Sequence, residues 1–466
     1  METTAIVWLR RDLRITDHFA FYKAQEVGAK ILPVFVFDSE ILNNFQNKED
    51  KRISFIYDRL VFLNKQLQKY KVEIKVFYGS AVEVLESLIL SLSPTYLIAG
   101  EGYESYDLKR DQKIKTICAD KGVISFFKND HLIYPPNAIK KDDGDPFKVF
   151  TPYSRKLYKK LVSDIVPNYQ VEVLEQWNVS LSESLKSQLL DLNIYQNSFN
   201  QIGYQKVAYD PWRCDFQTQD MSSFLLKIGQ YKENRDFLYV DGTSKFSPYL
   251  RFGFISIRDC LRLALSSQHS FSWINELMWR DFYAMALYFY PNIGNEEMIA
   301  KYRGLKWNRN QELFEKFAEG MTGFPIVDAA MRQLNKIGWV HNRARMIVAS
   351  FLTKYMLMDW RLGEKLYAQK LMDYEMSSNV GGWQWAASTG FDSQPYFRIF
   401  NLELQSKKFD QYGEYIKEYI AEISHVPGKS IVNPLQYDSS LNYPQPIVGY
   451  QGVRNRAIAF FKNATI

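Results

Sequence analysis

The residues with the clearest chemical potential lie between positions 377 and 400, in the run SSNVGGWQWAASTGFDSQPYFRIF. Trp383 and Trp385 follow a pair of glycines, and the amide of Asn379 stands four residues before the first indole. Glycine lets a backbone pass close to another group, because it carries no side chain. We therefore expect a flat, aromatic or redox-active ligand to bind at this segment.

A second group of polar and aromatic residues lies at 273–290, in the run WINELMWRDFYAMALYFY, whose apolar residues follow the period of an α-helix. Glu276, Trp279, Arg280 and Tyr283 then share one face of that helix. A solvated Glu–Arg pair is one interpretation. The alternative is a pocket wall, in which Glu276 hydrogen-bonds the polar edge of a ring and Trp279 stacks on its face.

A third group begins a predicted helix with the run WVHNRARM at 339–346. Asn342 and Met346 share a face, and Arg343 and Arg345 flank it near the helix N-terminus. The positive end of the helix dipole disfavours cations there, so an anion is expected nearby. His341 alone is more typical of a structural histidine than of a catalyst.

Hydroxyl groups cluster around Lys245 in the run DGTSKFSPYL at 241–250. Thr243, Ser244 and Ser247 at such a turn suit a phosphate group. Serine and threonine are also the commonest helix caps, so a purely structural role stays open.

The elements that must position these residues fall into two patterns. Up to about residue 130, short apolar runs at 5–9, 31–37, 74–78, 96–99 and 123–127 alternate with amphipathic stretches such as 53–70 and 81–92. This predicts an α/β domain with a parallel, doubly wound sheet. A glycine-rich dinucleotide fingerprint after the first strand is absent.

Beyond the α/β part, residues 131–200 are predicted to be an interdomain linker, with a loop at 134–154. Residues 201–466 are predicted to form a larger all-α domain, because helical periodicity recurs at 273–290, 325–336, 341–359 and 363–374. The expected domains are therefore 1–130, 131–200 and 201–466.

The composition limits the class of protein. The chain of 466 residues is 46% hydrophobic and 24% charged, which is typical of a globular protein. Its net charge of +6 suits ordinary solubility, or a polyanion-binding face if the positive charges cluster. Three distant cysteines, no signal peptide and no membrane-spanning run predict a cytoplasmic protein without disulfides. No metal site is predicted.

Together these segments resemble the photolyase/cryptochrome family, and most closely its class I cyclobutane pyrimidine dimer photolyases. The likeness runs from IVWLRRDLRITDH to YPQPIV and is densest over NELMWRDFY, GFPIVDAAMRQLNKIGWVHNRARMI and NVGGWQWAASTG. It implies an α/β antenna-chromophore domain, a helical FAD-binding domain, and light-driven repair of pyrimidine dimers in DNA.

The resemblance also implies which residues bind FAD. Asn379 resembles the amide facing flavin N5, which suits the anionic reduced form, whereas plant-type photoreceptors carry an acid there. Glu375 stands where an aspartate is usual. The expected FAD-binding residues are Tyr231, Thr243, Ser244, Lys245, Phe246, Ser247, Arg280, Asn342, Arg345, Asp373, Glu375 and Asn379.

For the substrate, the resemblance implies that an excited reduced flavin gives an electron to a flipped-out dimer, both ring bonds break, and the electron returns. The paired histidines of (6-4) enzymes are missing from WVHNRARM. The implied dimer-binding residues are Glu276, Trp279, Asn342, Arg343, Met346 and Trp385. The implied catalytic residues are Glu276 and Asn379, with Trp307, Trp360 and Trp383 as a relay for flavin photoreduction; the phosphate contacts are Arg235, Arg343, Arg398 and Lys408.

The antenna is less defined by the resemblance. Gln46 and Asp107 stand where folate-binding members often carry histidine and glutamate, and Gly294 and Asn295 replace a cysteine–lysine pair. A folate, a deazaflavin, a second flavin or no antenna all stay open.

The alternative function is a cryptochrome-like blue-light photoreceptor without repair activity, which the retained dimer pocket and the chain's end at Ile466 disfavour. We expect a monomer that acts on DNA containing pyrimidine dimers, in the cytoplasm, and at the nucleoid if the source is bacterial.

Overall fold

A computed structural model describes residues 2–464 of the chain. Its sheet contains β1 Thr4–Leu9, β2 Lys30–Asp38, β3 Lys75–Gly79, β4 Tyr96–Gly100 and β5 Ile124–Lys128. All neighbouring strands are parallel, in the order β3-β2-β1-β4-β5. The five strands predicted from apolar runs are confirmed to within one residue at each end.

The remaining regular structure is helical, and its bounds in chain order are as follows. The helices are α1 Phe19–Glu26, α2 Ser39–Leu42, α3 Lys51–Leu67, α4 Ala81–Leu92, α5 Ser105–Asp120, α6 Phe150–Ser163, α7 Glu183–Ser187, α8 Tyr195–Ile202, α9 Ser222–Ile228, α10 Tyr231–Asn234, α11 Ser247–Arg251, α12 Ile257–Leu265, α13 Phe271–Phe289, α14 Gln311–Glu319, α15 Pro325–Ile337, α16 Asn342–Ser350, α17 Trp360–Lys370, α18 Met376–Ala387, α19 Leu402–Phe409, α20 Glu414–Tyr419, α21 Pro434–Tyr437 and α22 Val453–Lys462. A π-helix follows α16 at Phe351–Tyr355, and short 3₁₀ turns lie at Gln68–Tyr70, Thr218–Met221, Pro291–Gly294, Ala300–Tyr302 and Ala421–Ile423.

The sheet is doubly wound because the chain crosses from β3, at one edge, to β4 on the other side of β1. All six residues of β1 are buried, as expected for a parallel strand covered on both faces. Residues of β1, β2 and β4 join those of α4 and α5 in one apolar core, which includes Trp8, Leu88 and Ile114. The predicted α/β class with a parallel, doubly wound sheet is therefore confirmed, as is a largely helical C-terminal part.

The predicted single helix at 341–359 was wrong. The helical run ends with the π-helix, Leu357 has a left-handed φ of 52°, and a new helix starts at Trp360. The side chain of Asp359 accepts a hydrogen bond from the backbone N–H of Arg361 at 3.0 Å and so caps α17. The break therefore places Trp360 in the first turn of α17 rather than at the end of a long helix.

The stretch predicted as an interdomain linker, residues 131–200, contains the helices α6 and α7 and most of α8. In α6, Tyr153, Leu157 and Leu161 are buried at a spacing of four residues. Lysines between these positions hide the apolar stripe in the sequence. The predicted loop at 134–154 therefore ends where α6 begins, at Phe150.

The described chain separates into two compact units. The first comprises the described residues through Ile139, together with Arg155–Leu226 and Lys245–Asp281; the second comprises Lys140–Ser154, Lys227–Ser244 and the described residues from Phe282 onward. The division into residues 1–130, 131–200 and 201–466 stays a prediction, since compact units need not coincide with functional domains. No helix within residues 2–464 has both the length and the apolar character that crossing a bilayer requires.

Candidate functional site

In the second unit, the amide of Asn379 is held by a buried carboxyl group. Its Nδ2 donates to the backbone oxygen of Glu364 at 3.1 Å and to Oε1 of the same residue at 3.0 Å. Tyr374 also donates its hydroxyl to that Oε1, at 3.1 Å. Burial raises the pKa of Glu364, and the hydrogen bonds from Asn379 and Tyr374 oppose the shift.

This network fixes which end of the Asn379 amide is available. Both protons of Nδ2 point to Glu364, whereas Oδ1 accepts no hydrogen bond from the residues the structure describes. Asn379 is 9% exposed. An amide oxygen without a partner in the protein can accept a hydrogen bond from a ligand. Glu364 and Tyr374 were missed from the sequence, because neither belongs to a recognisable motif.

Two glycines allow close packing around helix α18, one on α17 and one on α18 itself. A Cβ on Gly363 would overlap the indole of Trp383, and a Cβ on Gly381 would overlap the ring of Tyr283. The close approach at Gly381 is to a ring of the protein itself, and an approach to a ligand stays a prediction. Gly382 differs, since a Cβ there would meet no atom within 4 Å. Close packing therefore rests on Gly363 and Gly381.

The three tryptophans of the expected relay differ in exposure. Trp360 is 0% and Trp383 3% exposed, whereas Trp307 is only partly buried. Trp383 contacts Tyr367 edge-on, with ring centroids 5.1 Å apart, and Trp360 donates Nε1 to Glu297 at 3.4 Å. A relay that takes electrons from donors in solution needs such a series, with buried rings at one end and an accessible ring at the other.

Arg345 and Asp373, both expected to bind FAD, form an ion pair with each other. Its Nη2 lies 2.7 Å from Asp373 Oδ2, and its Nε donates to the backbone oxygen of Val340 at 2.7 Å. The other oxygen, Asp373 Oδ1, is buried and accepts no hydrogen bond from the described residues. An orphaned buried carboxylate oxygen, like the free Oδ1 of Asn379, suits a ligand rich in hydrogen-bond donors.

His341 has the structural role that the sequence favoured. Its Nδ1 accepts the backbone N–H of Arg343 at 3.1 Å, so it caps the N-terminus of α16. Burial lowers the pKa of His341 to about 4, and Asp236 opposes this shift only in part. The imidazole is therefore neutral at pH 7, as its role as an acceptor requires.

Asn342 and Met346 lie on the partly exposed face of α16, with Asn342 Nδ2 3.8 Å from the Met346 sulfur. Arg343 Nη2 pairs with Asp236 at 2.7 Å, and its guanidinium lies 4.3 Å over the ring of Phe409. The anion expected near Arg343 is therefore supplied by the protein itself. Trp385 is half-buried on α18.

The remaining expected cofactor residues of the second unit lie in α10, in the segment that follows it, and directly before α18. Tyr231 is buried at the start of α10, with the guanidinium of Arg235 5.3 Å over its ring. Thr243 and Ser244 are partly buried. Glu375 is buried immediately before α18, and its backbone oxygen accepts the N–H of Asn379 at 2.9 Å.

In the first unit, Lys245 has a left-handed φ of 54° and leads into α11, which begins at Ser247 behind the buried Phe246. Glu276, Trp279 and Arg280 are partly buried on α13. The guanidinium of Arg280 donates to the backbone oxygen of His131. The predicted shared face of α13 thus exists, because the residues occupy one continuous helix.

Two of the predicted phosphate contacts have no protein anion. Arg398 and Lys408 are exposed and form no ion pair within residues 2–464, unlike Arg343. Exposed cations of this kind suit DNA phosphates, because no carboxylate competes for them.

The positions tied to the antenna are largely engaged within the protein. Burial would raise the pKa of Asp107, but Arg11, Arg110 and Arg10 hold it well below its usual range. Arg110 lies 2.8 Å from its carboxylate. Gln46 is exposed. In the second unit, Gly294 packs against Met376, and the backbone oxygen of Asn295 accepts Arg361 Nε at 2.8 Å.

One buried group with the residue types of a metal site is Asp12, His18 and Asp130. Arginines already occupy the carboxylate of Asp130, with Arg258 Nη2 at 2.7 Å and Arg14 on the other oxygen. His18 Nδ1 accepts the N–H of Phe21 at 3.1 Å. Asp12 Oδ2 and His18 Nε2 lie 3.4 Å apart, and neither atom forms a hydrogen bond with the described residues. The carboxylate of Asp130, in contrast, belongs to a buried ion-pair network.

The chain is similar to known families and proteins along almost its whole length. The family profile described as "DNA photolyase" matches residues 5–170, and the profile described as "FAD binding domain of DNA photolyase" matches residues 273–463. The chain is 34% identical to a protein named "Deoxyribodipyrimidine photo-lyase" from Vibrio cholerae, over 98% of this chain and 99% of the relative. It is also 34% identical to the protein of that name from Escherichia coli, over 99% of each.

The chain is also similar to solved structures of photolyases and of a cryptochrome. A bacterial class III photolyase from Agrobacterium tumefaciens superposes with a TM-score of 0.85 at 28% identity, covering 100% of this chain and 98% of that one. An archaeal photolyase from Sulfolobus tokodaii, solved with two FAD molecules, gives 0.84 at 29% identity, covering 99% and 100%. A cryptochrome from Synechocystis gives 0.86 at 24% identity, covering 99% of each, which shows a shared fold.

Proposed function

Because the chain belongs to the DNA photolyase family, we propose that it is a light-driven repair enzyme, a deoxyribodipyrimidine photo-lyase that splits cyclobutane pyrimidine dimers in DNA. The observation that carries this is the 34% identity to two such enzymes over at least 98% of this chain. The chain is thus a carbon–carbon lyase and a flavoprotein. Reduced FAD, when bound and excited by light, supplies the electron that opens the cyclobutane ring.

We assign the flavin to the hydrogen-bonding groups that the protein leaves unpaired. Oδ1 of Asn379 would accept a hydrogen bond from an N–H of the flavin, and Glu364 holds the amide in the orientation that allows this. Asp373 Oδ1 would accept a second donor. The neutral amide of Asn379 suits an anionic reduced flavin, because an ionised carboxylate at this position would repel it. The other proposed FAD contacts are Tyr231, Thr243, Ser244, Lys245, Phe246, Ser247, Arg280, Asn342, Arg345 and Glu375.

The dimer is proposed to contact Glu276, Trp279, Asn342, Arg343, Met346 and Trp385. Extruding the damaged pair from the duplex costs a few kcal/mol. Stacking on Trp279 and Trp385 would offset this, since stacking on an aromatic side chain contributes roughly 1–3 kcal/mol per base. A carboxyl O–H of Glu276 would donate a hydrogen bond to a pyrimidine carbonyl and so stabilise the negative charge that the dimer gains with the electron. Phosphate contacts from Arg235, Arg398 and Lys408 would position the DNA without reading its sequence.

Trp307, Trp360 and Trp383 are proposed to carry electrons inward to oxidised flavin. Trp307 is the station at the surface, and Trp383 is the station next to the cofactor. Their exposure supports this direction, since Trp307 alone of the three is only partly buried. We further propose a monomer that acts in the cytoplasm. Of the possible antennas, folate is the least suited, because Arg110 already neutralises the carboxylate of Asp107.

The test is light-dependent repair of an oligonucleotide that contains one thymine dimer. The protein, with its flavin chemically reduced, is irradiated with blue or near-ultraviolet light and compared with a dark control. We expect intact thymines to be recovered only in the light. Flavin binding without repair would contradict the proposal and would favour a photoreceptor, for which the likeness to the Synechocystis cryptochrome supplies only the fold.

A further inference from the structure

The surface beside Trp307 contains a cavity with no assigned function. It has a volume of about 500 Å³, and its lining includes Trp307, Lys306, Arg309, Arg303 and Arg361. This volume is in the range of small-molecule sites. Every lining residue belongs to the second unit.

The charges in the cavity do not balance. Arg361 is neutralised by Glu297, 2.8 Å from Nη2, and by Asp359, 2.9 Å from Nη1. Arg303 pairs with Glu296 at 2.9 Å. Lys306 and Arg309, by contrast, are exposed and form no ion pair or side-chain hydrogen bond within residues 2–464. Trp307 therefore lies between two uncompensated cations in the sequence. Lys306 directly precedes it, and Arg309 follows it by two residues.

The indole of Trp307 packs against aromatic rings and also lines the cavity. Trp307 packs against Phe460 and Phe461, with ring centroids 5.1 and 6.0 Å apart, and forms part of the cavity wall. A molecule in the cavity would thus meet Trp307 with two positive charges close by. Such a field concentrates small anions and excludes small cations.

We propose that this cavity binds a small organic anion that gives one electron to Trp307. The inference rests on the proposed relay, in which Trp307 is the surface station. A relay that has passed an electron inward leaves an oxidised indole at its outer end. Unless an external donor restores this indole, the electron returns and the flavin is not reduced.

The proposed step balances as follows. The bound anion loses one electron to the oxidised, positively charged indole of Trp307, which returns to its neutral form. The anion thereby becomes a neutral radical, which releases its proton to water. Lys306 and Arg309 hold the anion beside the indole before the transfer.

The first experiment measures access of anions to Trp307 without any redox step. Iodide and neutral acrylamide both quench tryptophan fluorescence, and the contribution of Trp307 is the difference between the holoenzyme and its Trp307→Phe variant. In Lys306→Gln/Arg309→Gln we expect the iodide quenching constant of Trp307 to fall about five-fold, while the acrylamide constant is unchanged. Lys301→Gln, which removes one exposed charge outside the cavity lining, is compared with Lys306→Gln and Arg309→Gln made singly.

The second experiment compares donors of different charge. Photoreduction of oxidised flavin is followed with ascorbate, an anion at pH 7, and with dithiothreitol, which is neutral. The double variant should slow the ascorbate reaction roughly five-fold at low salt, much less at 1 M salt, and the dithiothreitol reaction little. Equal slowing with both donors, or no effect on iodide quenching, would overturn the inference.

The two experiments separate this inference from the relay itself. If Trp307→Phe photoreduces flavin normally, the relay is wrong and the cavity has no donor role. If Trp307→Phe is inactive in photoreduction while the double variant matches the native protein with ascorbate, the relay stands and the anion site is refuted. Loss of affinity for dimer DNA in the double variant, with an unchanged ascorbate rate, would instead assign Lys306 and Arg309 to DNA.

Discussion

At the level of single residues, Asn379 shows how a neighbour determines what a side chain offers to a ligand. An amide has a donor end and an acceptor end, and only the protein decides which end is used internally. Glu364 takes both donors, so Asn379 presents its oxygen. The same logic applies to Asp373, whose Oδ2 is taken by Arg345 while Oδ1 stays available.

Glu276 is the side chain to which we assign charge stabilisation on the dimer. In Glu276→Ala we expect the repair yield per absorbed photon to fall several-fold, since one charge-assisted hydrogen bond contributes about 1.5–3 kcal/mol. Affinity for dimer DNA should change little, because stacking and phosphate contacts remain. Quantum-yield measurements and DNA titrations of the same preparation check this, and an unchanged yield would contradict the role.

His341 predicts a pH dependence of stability. Its pKa is lowered to about 4 in the folded protein, against an ordinary value near 6.5. The unfolded chain therefore binds the proton more readily, and the free energy of unfolding should fall as the pH drops from about 6.5 to about 4. The loss from this group is up to about 3 kcal/mol.

The control for this prediction is His341→Asn, which keeps an N-cap acceptor but does not titrate. Urea unfolding between pH 4 and pH 7 should show a weaker pH dependence in this variant than in the native protein. Parallel pH profiles would show that another group causes the acid sensitivity.

At the level of elements, helix α18 is positioned from both ends and along its side. Glu375 precedes its first turn, Gly363 of α17 admits Trp383, and Gly381 admits Tyr283. At the other end, the buried Lys354 donates Nζ to the backbone oxygen of Ala387 at 3.1 Å and to Ser388 Oγ at 2.8 Å. A lysine suits this place, because the helix C-terminus is its negative end.

The position of Lys354 depends on the π-helix. Lys354 lies in Phe351–Tyr355, where the wider turn interrupts the α-helical ladder. Burial lowers the pKa of Lys354 well below its ordinary value, although its Nζ lies 3.7 Å from the centroid of the Phe461 ring, which favours the charged form. Either protonation state can donate to Ala387 and Ser388, so the anchor on α18 is retained.

Two adjacent glycines of α18 give a matched prediction. Gly381→Ala should destabilise the protein by roughly 1–3 kcal/mol, because its Cβ would overlap Tyr283. Gly382→Ala should be neutral or stabilising by up to about 1 kcal/mol, since alanine favours the helix and no atom lies within 4 Å of the new Cβ. Denaturant unfolding of both variants checks this. Equal effects would mean that the close approach at Gly381 is not retained in solution.

At the level of the whole molecule, the proposed relay and the proposed DNA contact need different kinds of side chain. The relay needs aromatic rings that lead from a buried to a partly exposed position, as Trp383, Trp360 and Trp307 do. DNA binding needs exposed cations that no carboxylate neutralises, as Arg398 and Lys408 are. A net charge of +6 therefore matters less than where the unpaired cations lie.

Trp383→Phe separates photoreduction from repair. Phenylalanine is much harder to oxidise than tryptophan, so light should no longer reduce oxidised flavin in this variant. Repair should persist when the flavin is supplied chemically reduced. Absorbance changes of the flavin and thymine recovery measure the two processes, and lost repair under reducing conditions would refute a role limited to the relay.

Arg398→Gln and Lys408→Gln should each weaken binding to dimer DNA and to undamaged DNA alike. Each should also lower the slope of log K against log salt concentration by about 1, because one phosphate contact is lost. Lys113→Gln, an exposed lysine on α5, serves as the charge-matched control. Fluorescence anisotropy at several salt concentrations measures the slopes, and identical slopes for all three variants would exclude Arg398 and Lys408.

By itself, the sequence determined the sheet, the main helices and the family. Fully buried parallel strands must be apolar runs, and long amphipathic helices must repeat at 3.6 residues, so β1, β4, α4 and α13 could be located from local pattern alone. The motifs around Asn379 and Trp383 likewise consist of neighbouring residues in the sequence. The expected site residues could therefore be named from the sequence.

Only the tertiary structure decided what these residues touch. Glu364, Tyr374 and Lys354 reach α18 or its segment through the packing of separate elements, and no local pattern records such contacts. The same holds for unpaired charge: Arg343 and Arg361 look as free in the sequence as Lys306 and Arg309 do. Side-chain partners depend on distances across the fold, so only the folded chain shows that the first two are neutralised and the last two are not.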